Sequence, residues 1–353
     1  MRGGDNELET LHTDIECLEV CADLIASGSH NKARTAIIVL HHLAEILLQR
    51  ECQELLERDR LYRWVMKPEF TRSERARIDR SFADKVFLVR DKTAHLSQVD
   101  EAVLLIGHSY RNAIYHRDTH NAQTACLLAK LLLRISLRLL IRSGPNMSMG
   151  GRNSESLHWV EKYLPSSKGI IDFGELRNNV VRVIAPLAKV SFHESRTTLA
   201  TDITCRAQKL TNNLVTFFGD KWRSYLDDLL KRVEFELENE MEYDDISEPY
   251  RHMTYRIHTK NQPTREEYDK AESLYKARLK KALDSFRPAY TTSKIISLHM
   301  LADSLSCASN LRSLVLAYKN ADEATQKAEL YISRAQAIVD AQIDLAIDRA
   351  LGK

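Results

Sequence analysis

Apolar residues recur every three or four positions over most of the chain. Leu8, Leu11, Ile15, Leu18 and Ile25 keep that rhythm up to Gly28, Ile37, Leu40, Ala44, Leu47 and Leu48 continue it, and Ile78, Phe82, Val86 and Val89 follow. This is the 3.6-residue period of an amphipathic helix. It predicts helices over about 6–27, 32–65, 72–91, 98–116 and 121–142, the last preceded by the capping side chains of Asp118, Thr119, His120 and Asn121. From Ser143 to Gly151 the rhythm is lost amid three glycines and a proline, which marks 144–170 as a linker. Leu199, Ile203, Ala207, Leu210, Leu214 and Phe217 restore it, Gly219 interrupts, and Trp222, Leu226, Leu230, Val233 and Leu237 resume. The acidic run from Glu234 to Asp245 reads as a solvated helix end, and further helices are expected over about 264–286, 292–318 and 321–350. The expected organisation is a helical domain over 1–143, the linker, and a second helical domain over 171–353, all-α throughout.

Composition agrees with that class. In 353 residues there are only 7 prolines and 11 glycines, and the chain is long enough for two domains that each bury a core. The net charge of +2 does not advertise nucleic-acid binding, so any such contact has to come from a local patch. Six cysteines at 17, 21, 52, 126, 205 and 307 form no CxxC pair, which suits reduced thiols in the cytoplasm. Cys17 and Cys21 share a helix face, but no histidine at helical spacing joins them, and no metal or cofactor is expected. The N-terminus has no apolar core of the kind a secretory signal needs. The most apolar stretch, Cys126 to Ile141, carries Lys130, Arg134 and Arg138 and is too short to span a bilayer, so no membrane is expected as a partner.

The candidate chemistry is concentrated at Arg111-Asn112-Ala113-Ile114-Tyr115-His116, a fixed cation, an amide and an imidazole within one and a half helical turns. His108, Asn112 and His116 recur every fourth residue and share a stripe, with Arg111 and Tyr115 on the adjoining one. Arg111 and His116 lie about 140° apart on an ideal helix, so one straight helix does not readily aim both at a single phosphate.

The form Arg, polar residue, three residues, His resembles the motif of the HEPN superfamily of small α-helical domains, many of which cleave RNA. The residues from Asp100 to Asp118 resemble the helix that carries it, and His41-His42-Leu43-Ala44-Glu45-Ile46-Leu47-Leu48 resembles the family's core helix with its internal acid. The resemblance implies a HEPN-like helical bundle that works as a homodimer, with two copies of the motif lining one cleft. It also implies endoribonuclease activity on single-stranded RNA without a metal, in a prokaryotic toxin or antiviral defence setting, where an antitoxin or sensor partner is expected. In that chemistry one imidazole takes the proton of a ribose 2′-hydroxyl and another protonates the departing 5′-oxygen. Arg111 would hold the phosphate, Asn112 would orient His116 or the phosphate, and Glu45 would order the Arg or the His. A toxin subgroup carries a modifiable Tyr two residues after the His; here that position is Asp118, so that control is not implied.

Each feature also has a plainer reading. His108 reads as a polar surface residue, Tyr115 as a packing residue, and Glu45 as an intrahelical partner of Gln49. Lys130, Arg134, Arg138 and Arg142 repeat every fourth residue and either track an RNA backbone or form the wet edge of a buried helix. Arg177-Asn178-Asn179 echoes the motif, but no His follows. The competing function is a non-catalytic module in which Arg111, Asn112 and His116 serve a nucleotide pocket or a dimer interface. The second half resembles no family; a sensing or regulatory role is expected of it.

Overall fold

The structure is a computed structural model that describes residues 3–62, 67, 69–116, 122–142, 148–150, 158–165, 170–218, 222–240, 245–248 and 263–350. The fold is all-α. Among the described residues the only sheet is one antiparallel pair, β1 (Ser148–Gly150) on β2 (Ile170–Asp172) with Met149 opposite Ile171. No helix of the described residues is long and apolar enough to cross a membrane. The chain forms two compact units, 1–202 with 305–319 and 203–304 with 320–353.

The first unit is built on α1 (Gly3–Ala26), α2 (His30–Tyr62), α3 (Arg72–Arg80), α4 (Phe82–Lys92), α5 (Gln98–His116) and α6 (Ala122–Arg142). It continues through α7 (His158–Tyr163), α8 (Phe173–Ile184) and the start of α9 (Phe192–Phe218). Helix α2 lies against α6 and is flanked by α1, α4 and α5. Ile15 and Leu18 of α1, Leu40, Leu43, Leu47 and Leu48 of α2, Leu104 of α5 and Leu132, Leu133 and Leu137 of α6 are all sealed from solvent. Each such side chain contributes about 1.5–3 kcal/mol of burial free energy.

Two glycines set the geometry. Gly28 ends α1 at a φ of 67°, a left-handed turn that a side chain resists, with its N–H donating to Ile25 O at 3.1 Å. Gly107 sits where α5 crosses α6. A Cβ there would meet Leu132 Cδ2 at 2.9 Å, so the bare backbone is what brings the motif helix against the core.

The expected single helix over 72–91 is two helices. Ser81 takes φ −114°, ψ 124° and its hydroxyl accepts from Asp84 N at 3.2 Å, so it closes α3 and caps α4. The start of α5 is fastened by charge. Asp100 is buried and accepts from Ser97 N and Oγ at 2.9 and 2.8 Å as well as from Arg138 of α6, while Glu101 pairs with Arg90.

The second unit gathers Leu210 and Leu214 of α9, Leu226, Leu230 and Val233 of α10 (Trp222–Glu238), and Tyr331, Ile332 and Ala335 into one core. It also contains α11 (Arg265–Ser285), opened by a capping box between Thr264 and Glu267. Here the expected helix boundaries shift. The span 292–318 is broken into α12 (Thr292–Ile296) and α13 (Leu298–Ser306), and the last helix, α14 (Leu311–Ala350), begins ten residues earlier than 321. Asn310 moves that boundary, since its Oδ1 accepts from Ser313 N at 2.9 Å and caps α14. Helix α14 continues past 320, where Ala321, Thr325 and Ala328 are buried. The expected caps at 118–121 lie outside the described residues, as does most of the expected linker.

Candidate active site on the motif helix

Helix α5 buries its first half through Ala102, Val103, Leu104 and Ile106, and its polar stripe begins at His108. The stripe does not simply face water. His108 is half-buried and its Nδ1 lies 3.1 Å from Nε2 of His41 on α2, while Asn112 Nδ2 lies 3.3 Å from His108 Nε2. The three side chains form one hydrogen-bonded line, from a fully buried imidazole to an exposed amide.

Phe82, the first residue of α4, closes the line from the side. Its ring is stacked on His108 at 5.0 Å with an interplanar angle of 11°, and lies 4.5 Å from His41 at 41°. Burial, then the neighbouring His108, Arg111 and His42, drives the His41 pKa down to about 3. Burial and the Arg111 guanidinium also lower the His108 pKa, against an opposing pull from Glu45. Both rings are therefore neutral near pH 7. The outer nitrogen of His41, Nδ1, is buried and has no hydrogen-bond partner among the described residues. Leaving such a group unsatisfied costs about 1–3 kcal/mol, so this line is held in place at some expense to stability.

The expected site residues are placed as follows. Arg111 is half-buried and Asn112 exposed, side by side near the end of α5. The backbones of Tyr115 and His116 complete that helix, but their side chains lie outside the described residues. Glu45 Oε1 meets the buried Lys85 Nζ of α4 at 3.4 Å. His108 is more than a surface residue, because it links Asn112 to the core.

The basic stripe on α6 is divided. Arg138 is engaged with Asp100, while Arg134 and Arg142 are both exposed, Arg142 donating to Ala94 O at 2.9 Å. Lys130 lines a cleft of about 630 Å³ between the beginnings of α2, α6 and α9, together with His30, Cys126, His193 and Glu194. The echo at Arg177 is structural: Arg177 is buried, and Asn179 Nδ2 donates to Tyr163 O at 2.9 Å.

Sequence reasoning missed His41. It stands four residues after Ile37 and three before Ala44, a position that the helical period assigns to the core. A polar residue at a core position was the available signal. Burial pushes the thiols of Cys21 and Cys52 up to about 12. No cluster of three or more His, Cys, Asp or Glu that could hold a metal occurs among the described residues. Comparison with family models, with curated proteins and with solved structures finds no match for this chain.

Proposed function

We propose that this protein is a metal-independent endoribonuclease of the HEPN type, acting as a homodimer in which Arg111, Asn112 and His116 of both copies line one cleft. The observation that supports it best is the line from His41 through His108 to Asn112, buried at one end and open at the other beside Arg111. A polar file that served packing alone would have no need to reach the surface.

In this reading His116 of one copy removes the proton from a ribose 2′-hydroxyl, and the 2′-oxygen attacks phosphorus. The bond from phosphorus to the 5′-oxygen breaks, and the other His116 supplies the proton to that oxygen. The products are a 2′,3′-cyclic phosphate and a 5′-hydroxyl. Arg111 neutralises the charge that builds on the phosphate oxygens, for which a guanidinium fork is well shaped. DNA has no 2′-hydroxyl and is left intact. The biological role we assign is that of a toxin or antiviral defence effector, held in check by an antitoxin or sensor partner.

The test is incubation of the purified protein with single-stranded RNA in EDTA, comparing wild type with Arg111→Ala and His116→Ala. Cleavage leaving cyclic phosphate ends, reduced by roughly 10²–10⁴ in either variant, is expected. RNA left whole by the wild type, or cut equally well by both variants, overturns the proposal. A second reading has its own support: the Asn112 amide is already hydrogen-bonded to His108, as in a module that binds without catalysis. Intact RNA together with retained dimerisation selects it. Growth arrest in bacteria expressing the wild type but not His116→Ala would tie the activity to the role.

A further inference from the structure

With the Asn112 amino group facing His108, the line has a single proton order. Asn112 Nδ2 can only donate, so His108 Nε2, 3.3 Å away, accepts and carries no hydrogen. The proton of neutral His108 is then on Nδ1, which donates to His41 Nε2 at 3.1 Å. His41 Nε2 is in turn bare, and its proton sits on Nδ1, the buried nitrogen without a partner among the described residues. The order holds only with all three members in register, and the Phe82 ring lies stacked on His108.

We propose that His41 and His108 are positioning residues that hold the Asn112 amide with its nitrogen inward and its carbonyl oxygen outward, so that the surface end presents a hydrogen-bond acceptor beside Arg111. The group that docks there is therefore a donor. That this matters for RNA cleavage rests on the ribonuclease reading; the proton order itself does not.

Protonation of His108 undoes the arrangement. A hydrogen on Nε2 faces the Asn112 amino group, the amide must turn over, and the outward acceptor becomes an outward donor. The groups acting on His108 are Arg111 on its own helix, His41 and Glu45 on α2, and on α4 the Phe82 ring, with Lys85 held by Glu45.

The proton order is read directly from the ring-nitrogen ¹⁵N shifts of the full-length protein labelled in histidine, with signals assigned by removing His41 or His108 singly. At neutral pH both rings are expected to be protonated at Nδ1 and bare at Nε2. In Asn112→Asp, an exposed change that replaces a donor by an acceptor, His108 Nε2 is expected to gain a hydrogen. An Nε2–H tautomer on either ring of the wild type, or an unchanged His108 in Asn112→Asp, overturns the proposal. The catalytic arm compares His108→Gln, whose amide oxygen can accept from Asn112, with His108→Leu, which cannot. His108→Gln is expected to retain about tenfold more cleavage than His108→Leu, roughly the value of one such hydrogen bond. Equal losses in the two variants remove the positioning role. If no form cuts RNA, the ribonuclease reading fails and the nitrogen shifts still decide the proton order.

Discussion

Each unit of this protein buries a polar cluster, and the two are built in opposite ways. In the second unit Arg206 is buried and charged, with its Nη1 at 2.6 Å from Asp322 and its Nε at 3.2 Å from Glu329, so a cation is enclosed by two anions. In the first unit a buried and a half-buried imidazole, both with pKa values lowered chiefly by burial, are strung in a line that ends at an exposed amide. The first arrangement compensates charge where it stands. The second carries hydrogen-bond direction from the core to the surface, which is of use only where something at the surface reads it.

Breaking the charged cluster gives the largest expected effect. Arg206→Ala leaves Asp322 buried without its cation, and removal of one member of a buried pair costs about 3–5 kcal/mol. Urea unfolding should show that loss in the second unit, while the histidine ¹⁵N shifts of the first stay in place. A loss under 1 kcal/mol would mean that water already compensates Asp322 and that the contrast between the clusters is overdrawn.

The neutral line should announce itself through pH. His41 has a folded pKa of about 3 against 6.5 when unfolded, so between those values the unfolded chain binds the extra proton. Its contribution is complete above pH 6.5 and is lost as pH falls towards 3, on the order of 3 kcal/mol by pH 4. Asp14 and Glu51, whose carboxyls burial raises, act with the opposite sign. The difference between wild type and His41→Phe isolates the imidazole: the variant should gain on the wild type as pH falls from 6.5 to 4. Parallel stability curves for the two proteins would show that His41 is not held neutral by the fold.

How far these features could be read from the sequence follows from their range. The helices over Leu40 to Leu48 and over the motif segment were legible because burial selects one face of a 3.6-residue turn, and that face is local. The breaks at Ser81, Ser297 and Asn310 were not, because each depends on the local backbone stopping, and at Ser81 and Asn310 on a side chain capping the next helix, which the spacing of apolar residues does not record. Arg111 and Asn112 were legible as a motif. His41 was visible only as a polar residue on a core stripe, since its partner His108 lies 67 positions away and no local pattern joins them.

The smallest expected effect concerns the basic stripe of α6, where the same contrast between enclosed and open groups recurs on one helix. Arg138 is engaged with the buried Asp100, which also holds the first turn of α5 through Ser97. Arg134, one turn earlier, is exposed. Arg138→Ala is expected to cost about 1 kcal/mol, the modest value of a partly exposed pair. Arg134→Ala should change stability by less than about 0.5 kcal/mol. If Arg134 follows an RNA backbone, Arg134→Ala instead lowers the slope of log affinity against log salt by about one, the signature of one lost phosphate contact. An unaltered slope in Arg134→Ala would leave Arg134 as the wet edge of a buried helix.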